Sequence, residues 1–241
     1  MEYAIEVEGL TKHYKGFTLD NVSFRLPSGC IMGFIGENGA GKSTTIRLLL
    51  GLARADSGRV RLLGEDPESA GTDLREHLGV VMDDCCVPET LCLRDLRSVL
   101  RAGYRSFDEA RFKALAERFE LPERKCVKDY SRGMRMKLSL TAALSHDCRL
   151  LILDEPASGM DPRARAEMKG ILRTLKDMGK TVLISSHILP ELSEMCDSLT
   201  IIDHGRLVFS GSVEELGRHM SGNAPIRVRL ALDAGADAVE A

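Results

Sequence analysis

No apolar run in this chain approaches the roughly 20 residues that a membrane-spanning helix requires. The opening Met1-Glu2-Tyr3-Ala4-Ile5-Glu6 lacks a basic-then-apolar leader pattern, so a soluble, cytosolic chain is expected. An excess of one charge is also missing. Against 33 basic residues stand 36 acidic ones, a formal net charge of −3, which gives no bias toward nucleic acid, and no nucleic-acid partner is expected. Cysteines number seven, yet no C-x-x-C spacing exists, because Cys85 and Cys86 are adjacent and the others are scattered. That excludes a zinc site of the usual spacing, and reduced thiols are expected. Heptads and internal repeats are absent too. At 241 residues the chain is long enough to bury about 70–75% of its unfolded surface in one large domain, or a core with a subdomain.

What is present is a phosphate-holding loop, Gly36-Glu37-Asn38-Gly39-Ala40-Gly41-Lys42-Ser43-Thr44. It follows the apolar run Ile31-Met32-Gly33-Phe34-Ile35 and opens a helical pattern at Thr45-Ile46-Arg47-Leu48-Leu49-Leu50. Strand–loop–helix is the context that gives this spacing its meaning. Glycines let the backbone curl and point successive N–H groups at one anion, and the helix start adds the positive end of its dipole. Lys42 is then expected on the β- and γ-phosphates of a nucleoside triphosphate, and the Ser43 hydroxyl on Mg²⁺.

Tyr3, Ile5 and Val7 alternate with polar residues as in a half-buried strand, and residues 18–26 read as a second. Short strands follow at 59–63 and 78–82. From 91 to 144 the apolar spacing becomes helical, with Leu93, Leu96, Val99 and Leu100, then Phe112, Leu115, Ala116 and Phe119. Strand patterns return at 149–153 and 181–184, flanking a helix over 162–178 with Pro162 at its start and Gly179 past its end. Residues 199–209 read as a hairpin about His204-Gly205, and 226–232 as a last strand-like run. The fold class expected is an α/β P-loop NTPase core with an N-terminal antiparallel β subdomain and an inserted helical subdomain. Its expected domain spans residues 1–221, with core 1–83 and 146–221, helical subdomain 84–145, and 222–241 a tail or the stub of an accessory region.

Three further constellations bear on chemistry. Leu150-Leu151-Ile152-Leu153-Asp154-Glu155 is an apolar strand ending in two carboxylates. Alone it also suits a strand-to-turn cap, but beside a phosphate loop Asp154 suits Mg²⁺ and Glu155 suits the attacking water. His187 follows another strand; a lone histidine is commonly a satisfied core residue, whereas this position suits contact with the γ-phosphate or the water. Tyr130-Ser131-Arg132-Gly133-Met134 precedes a helical run, with Ser131 as N-cap and Gly133 in the first turn, a second anion-ready helix start.

Phosphate loop, helical insert, Tyr-Ser-Arg-Gly-Met, Leu-Asp-Glu-Pro, Ser-Gly-Met-Asp and Ser-Ser-His, in that order, resemble the ATP-binding subunit of an ABC transporter over residues 3–219. The resemblance implies ATP and Mg²⁺ as ligands, with Tyr14 stacking on adenine and Glu155 and His187 serving hydrolysis. It implies that residues 157–161 communicate between subunits. It also implies head-to-tail pairing with a second ATP-binding subunit, identical or not. Ser131 and Gly133 of one subunit would then close on the γ-phosphate held by the other, and a separate membrane permease would place the pair at the cytoplasmic face of a membrane.

Two segments depart from the family pattern. Where the family carries a glutamine on Mg²⁺ and water, this chain has Asp83, or Asp84 if the alignment slips by one. Asp83 is therefore a candidate metal ligand and catalytic residue, though a carboxylate donates no amide hydrogen bond. In the signature loop Arg132 and Met134 replace glycine and glutamine. The loops resemble the branch serving drug, peptide or antibiotic exporters. An alternative is a soluble ATPase of the same family acting on ribosomes or DNA, which usually has paired cassettes, coiled coils or zinc cysteines. A non-hydrolysing regulatory binder is a further alternative, which Glu155 opposes.

Overall fold

The computed structural model describes residues 2–157 and 162–221. Its first sheet is antiparallel in the order β2-β1-β4, from β1 (Tyr3–Tyr14), β2 (Phe17–Pro27) and β4 (Ser57–Leu62). On β2 the buried Leu19, Val22, Phe24 and Leu26 oppose exposed Asn21, Ser23 and Arg25, the period of a sheet with one wet face. Strand β1 runs six residues beyond the alternation visible at its start. Register shifts after Val7 and Leu10, with Gly9 at φ +60°, break the period of two without ending the strand.

The second sheet contains β3 (Ile31–Ile35), β5 (Leu78–Val81), β6 (Leu150–Leu153), β7 (Thr181–Ser186), β8 (Ser198–Asp203) and β9 (Arg206–Ser212). Their order is β5-β6-β7-β3-β8-β9, parallel except for the edge pair β8–β9. Both faces are covered, so β3, β6 and β7 are buried at every residue; β3 and β6 read as polar-free runs, and β7 carries Val182-Leu183-Ile184 between hydroxyl residues. Met32, Phe34, Leu150, Ile152 and Leu183 face a core shared with the antiparallel sheet and helix α1 (Lys42–Leu49). Ile31, Ile35, Leu151, Leu153, Val182 and Ile184 face the other core.

That other core is built by α3 (Leu93–Gly103), α4 (Glu109–Arg118), α5 (Arg132–Leu144) and α6 (Pro162–Asp177), the expected helical pattern among them. Leu96, Leu100, Phe112, Leu138 and Leu172 join one continuous cluster with the sheet, so the helical segment is packed onto it rather than strung beside it. Fully burying each such side chain contributes about 1.5–3 kcal/mol. Short helices α2 (Thr72–Glu76) and α7 (Leu189–Ser193), and α8 (Val213–Ser221), were not evident as periodic patterns. Gly179 at φ +67° lies just past α6, and His204-Gly205 turn the hairpin with φ +45° and +77°, the backbone signs of a type I′ turn. The run expected at 226–232 and most of the 157–161 loop lie outside the described residues. Among the described residues no helix is long and apolar enough to cross a membrane.

Candidate nucleotide site

The loop leaving β3 is held at both ends. Gly36 N donates to the Ser186 carbonyl at 3.3 Å, and Gly205 N, from the β8–β9 turn, donates to Ala40 O at 2.9 Å. Its glycines serve different needs. Gly39 and Gly41 sit at φ +84° and +114°, where side chains are disfavoured, whereas Gly36 packs so closely that a Cβ would lie 2.5 Å from the Ile202 carbonyl. Glu37, Asn38 and Gly39 form the exposed crest, and Thr44 is half-buried on α1. Lys42, at the first residue of α1, is buried. Its ammonium donates to Gly36 O at 2.6 Å and Glu37 O at 3.2 Å, folding back across the loop's mouth.

The same ammonium lies 3.0 Å from Glu155 Oε1. Although buried, Oε1 accepts no hydrogen bond, because the contact with Lys42 is not aligned as one. Glu155 Oε2 meets His187 Nδ1 at 2.9 Å. The Glu155 backbone sits at φ +49°, an uncommon place for a residue other than glycine and the kind of strain found at functional sites. Ser185 on β7 helps to hold it there: its Oγ accepts from Glu155 N at 2.8 Å and donates to Asp154 Oδ1 at 2.6 Å. The two strand ends are thus tied by one hydroxyl, that of the first serine in Ser-Ser-His, to which the sequence pattern alone assigns no role.

Asp154 is buried and, among the described residues, receives that one side-chain donor, so it keeps acceptor capacity for a hard cation. Ser43 is exposed on the same helix turn as Lys42, its hydroxyl unengaged by side chain or backbone among the described residues. Two oxygen donors with free positions beside a buried ammonium and a cradle of N–H groups fit a magnesium–triphosphate.

Of the expected site residues, Lys42, Asp154, Glu155 and His187 come together. Tyr14 ends β1, opposite Phe17, whose ring lies 3.0 Å from where a Cβ on Gly41 would stand. Tyr14 is therefore joined to the phosphate loop through Phe17, and its ring stays exposed with Lys12 Nζ 5.8 Å from the centroid. Asp56 secures that hairpin end. Hydrogen bonds from Lys12 and from the His13 backbone and ring hold its carboxyl well below the usual range.

Ser131 caps α5, its Oγ accepting from Met134 N at 3.3 Å, with Gly133 in the first turn. No hydrogen bond or ion pair among the described residues links either to Lys42 or Glu155. Asp83, expected as a metal ligand, is exposed and its side chain forms an ion pair with Arg132. The two departures from the family pattern thus contact each other.

A triphosphate cradle facing two carboxylates and a histidine at parallel strand ends defines a P-loop ATPase site. The family model described as ABC transporter matches residues 19–158, and the chain belongs to that family as an ATP-binding, ATP-hydrolysing subunit. It is similar to the daunorubicin/doxorubicin resistance ATP-binding protein DrrA of Streptomyces peucetius, with 38% identity over 233 residues, 94% of this chain and 70% of that one. It is also similar to the bacitracin transport ATP-binding protein BcrA of Enterococcus faecalis, with 35% identity over 222 residues, 90% of this chain and 71% of that one. A solved ATP binding subunit of an ABC transporter superposes with a TM-score of 0.82 at 27% identity, covering 90% of this chain and 93% of its own.

Proposed function

We propose that the chain energises export of a drug, peptide or antibiotic through a separate permease, as one of two ATP-binding subunits paired head to tail. Its relatives named for daunorubicin/doxorubicin resistance and bacitracin transport support the direction and the substrate class. The observation that carries the chemistry is Glu155 Oε1, buried, within 3.0 Å of Lys42 and accepting no hydrogen bond. Oε1 thereby stands beside the ammonium assigned to the β- and γ-phosphates, where a base for the attacking water is needed.

In this reading Lys42 and the 36–44 backbone bind the β- and γ-phosphates, and Tyr14 stacks on the base. Ser43 and Asp154 hold the magnesium ion, which supplies charge neutralisation on the phosphate oxygens. Glu155 takes a proton from the attacking water as its oxygen bonds to the γ-phosphorus and the bond to ADP breaks. His187, bonded to the other Glu155 oxygen, fixes that carboxylate's orientation. Ser131 and Gly133 have no phosphate within their own chain and close on the partner's ATP. A cleft of about 490 Å³ between the loop after β5 and α5 gives a permease segment a place to dock, at the cytoplasmic face of a membrane.

A mixing experiment tests the shared site. Lys42→Ala lacks a working phosphate loop and Ser131→Arg a working helix start, so each alone is inactive. Mixed, they form one complete site per heterodimer, and ATPase activity returns. Two silent variants that stay silent on mixing would overturn the head-to-tail reading.

A further inference from the structure

The first turn of α5 contains no acidic residue, yet it carries Arg132 at its first position and Arg135 three residues on. Cations there oppose the positive end of the helix dipole. The compensating charge comes from the loop after β5: Asp83 pairs with Arg132, and Glu89 Oε1 lies 3.3 Å from Arg135 Nη1. One turn further, Ser139 Oγ lies 3.6 Å from Cys85 Sγ. Residues 132, 135 and 139 occupy one helix face, so the three contacts form a seam along the cleft.

The loop of that seam is anchored at the nucleotide site. Asp154 N donates to Val81 O at 2.8 Å, two residues before Asp83. From the carboxylate strand end to the helix capped by Ser131, the link therefore consists of one backbone hydrogen bond, two residues of chain and one ion pair.

We infer that Asp83 is a positioning residue: it is the counter-ion that holds Arg132, and through it the Ser131–Gly133 helix start, and it is not a magnesium ligand. Its effect on turnover rests on the shared-site reading above; the tether itself belongs to a single chain. With Asp83 engaged by Arg132, the carboxylate's negative charge is compensated within the chain. Asp83 and Arg132 then act as a pair. Removing Asp83 alone leaves Arg132 uncompensated at the dipole's positive end, while removing both members relieves that conflict.

The test is a double-mutant cycle of Asp83→Asn and Arg132→Gln, with Asp83→Glu as the charge-retaining variant. Amide hydrogen exchange over residues 135–138 is read without nucleotide, so the result does not depend on dimerisation. Asp83→Asn should speed exchange about two- to five-fold, the scale of a half-exposed ion pair. It should have no effect in the Arg132→Gln background, and Asp83→Glu should restore protection. The Mg²⁺ concentration for half-maximal ATPase should be the same in wild type and Asp83→Asn. Equal acceleration of exchange in both backgrounds, or none in either, overturns the tether. A shifted Mg²⁺ requirement in Asp83→Asn that Arg132→Gln does not share makes Asp83 a metal ligand and overturns the inference.

Discussion

Lys42 Nζ and Glu155 Oε1 lie 3.0 Å apart, bringing the phosphate loop and the carboxylate strand end into one site. A γ-phosphate placed on Lys42 would therefore arrive beside the base. Lys42→Ala removes the buried ammonium and leaves Glu155 without its charged neighbour. Binding of Mg²⁺–ATP should weaken by about tenfold to a hundredfold or more, as expected for loss of a charged hydrogen-bonding partner. Isothermal titration checks this, and wild-type affinity would contradict it.

Ser185 lies between the two carboxylates. Ser185→Ala strips Asp154 of its side-chain donor and leaves Glu155 N unsatisfied in a left-handed backbone conformation. A stability loss of about 1–3 kcal/mol is expected, with turnover falling more than ATP affinity. Denaturant unfolding and steady-state kinetics read the two effects separately.

The two strand-end residues of that site were legible in the sequence, and Ser185 as a tie between them was not. A phosphate loop, an apolar strand ending in Asp154-Glu155 and a histidine after another strand are local patterns, and each fits one recurrent geometry. Ser185, Phe17 and Gly205 act through neighbours far along the chain, so no local spacing reveals them. The same holds for Arg132 and Asp83. Each reads as an unexplained departure until the structure sets them side by side. Strand β1 was underread because bulges near Gly9 break the alternation on which strands are recognised.

Gly205 offers a backbone test. A Cβ there would lie 1.9 Å from the Thr18 carbonyl, at φ +77°, while the turn it forms holds Ala40. Gly205→Ala should destabilise by more than the roughly 1 kcal/mol of a left-handed alanine alone. Gly16→Ala, at φ +88° with open space around it, supplies that reference. Similar melting temperatures for the two variants would contradict the packing argument.

His146 predicts a pH dependence. Burial pushes its imidazole pKa down, with Tyr104 stacked at 4.0 Å and Nε2 3.1 Å from Leu78 O. The unfolded chain binds a proton near pH 6.5 that the folded chain refuses, so stability should fall as pH drops through that value. Chemical denaturation of His146→Gln should show a shallower decline between pH 7 and 5 than the wild type.

Among the described residues, His187 hydrogen-bonds with Glu155 Oε2 and with no other side chain. His187→Ala should lower kcat by about 10²-fold or more while changing ATP affinity little. Loss of binding in place of turnover would move His187 from orienting the base to holding the nucleotide.

The central claim is that Glu155 drives hydrolysis in a site completed by a second subunit. Glu155→Gln keeps the shape and removes the base, and light scattering after size exclusion reads the outcome directly. The account predicts monomers without nucleotide and stable dimers with Mg²⁺–ATP, with turnover nearly abolished. A variant that binds ATP yet remains monomeric, or one that hydrolyses ATP at the wild-type rate, would contradict it.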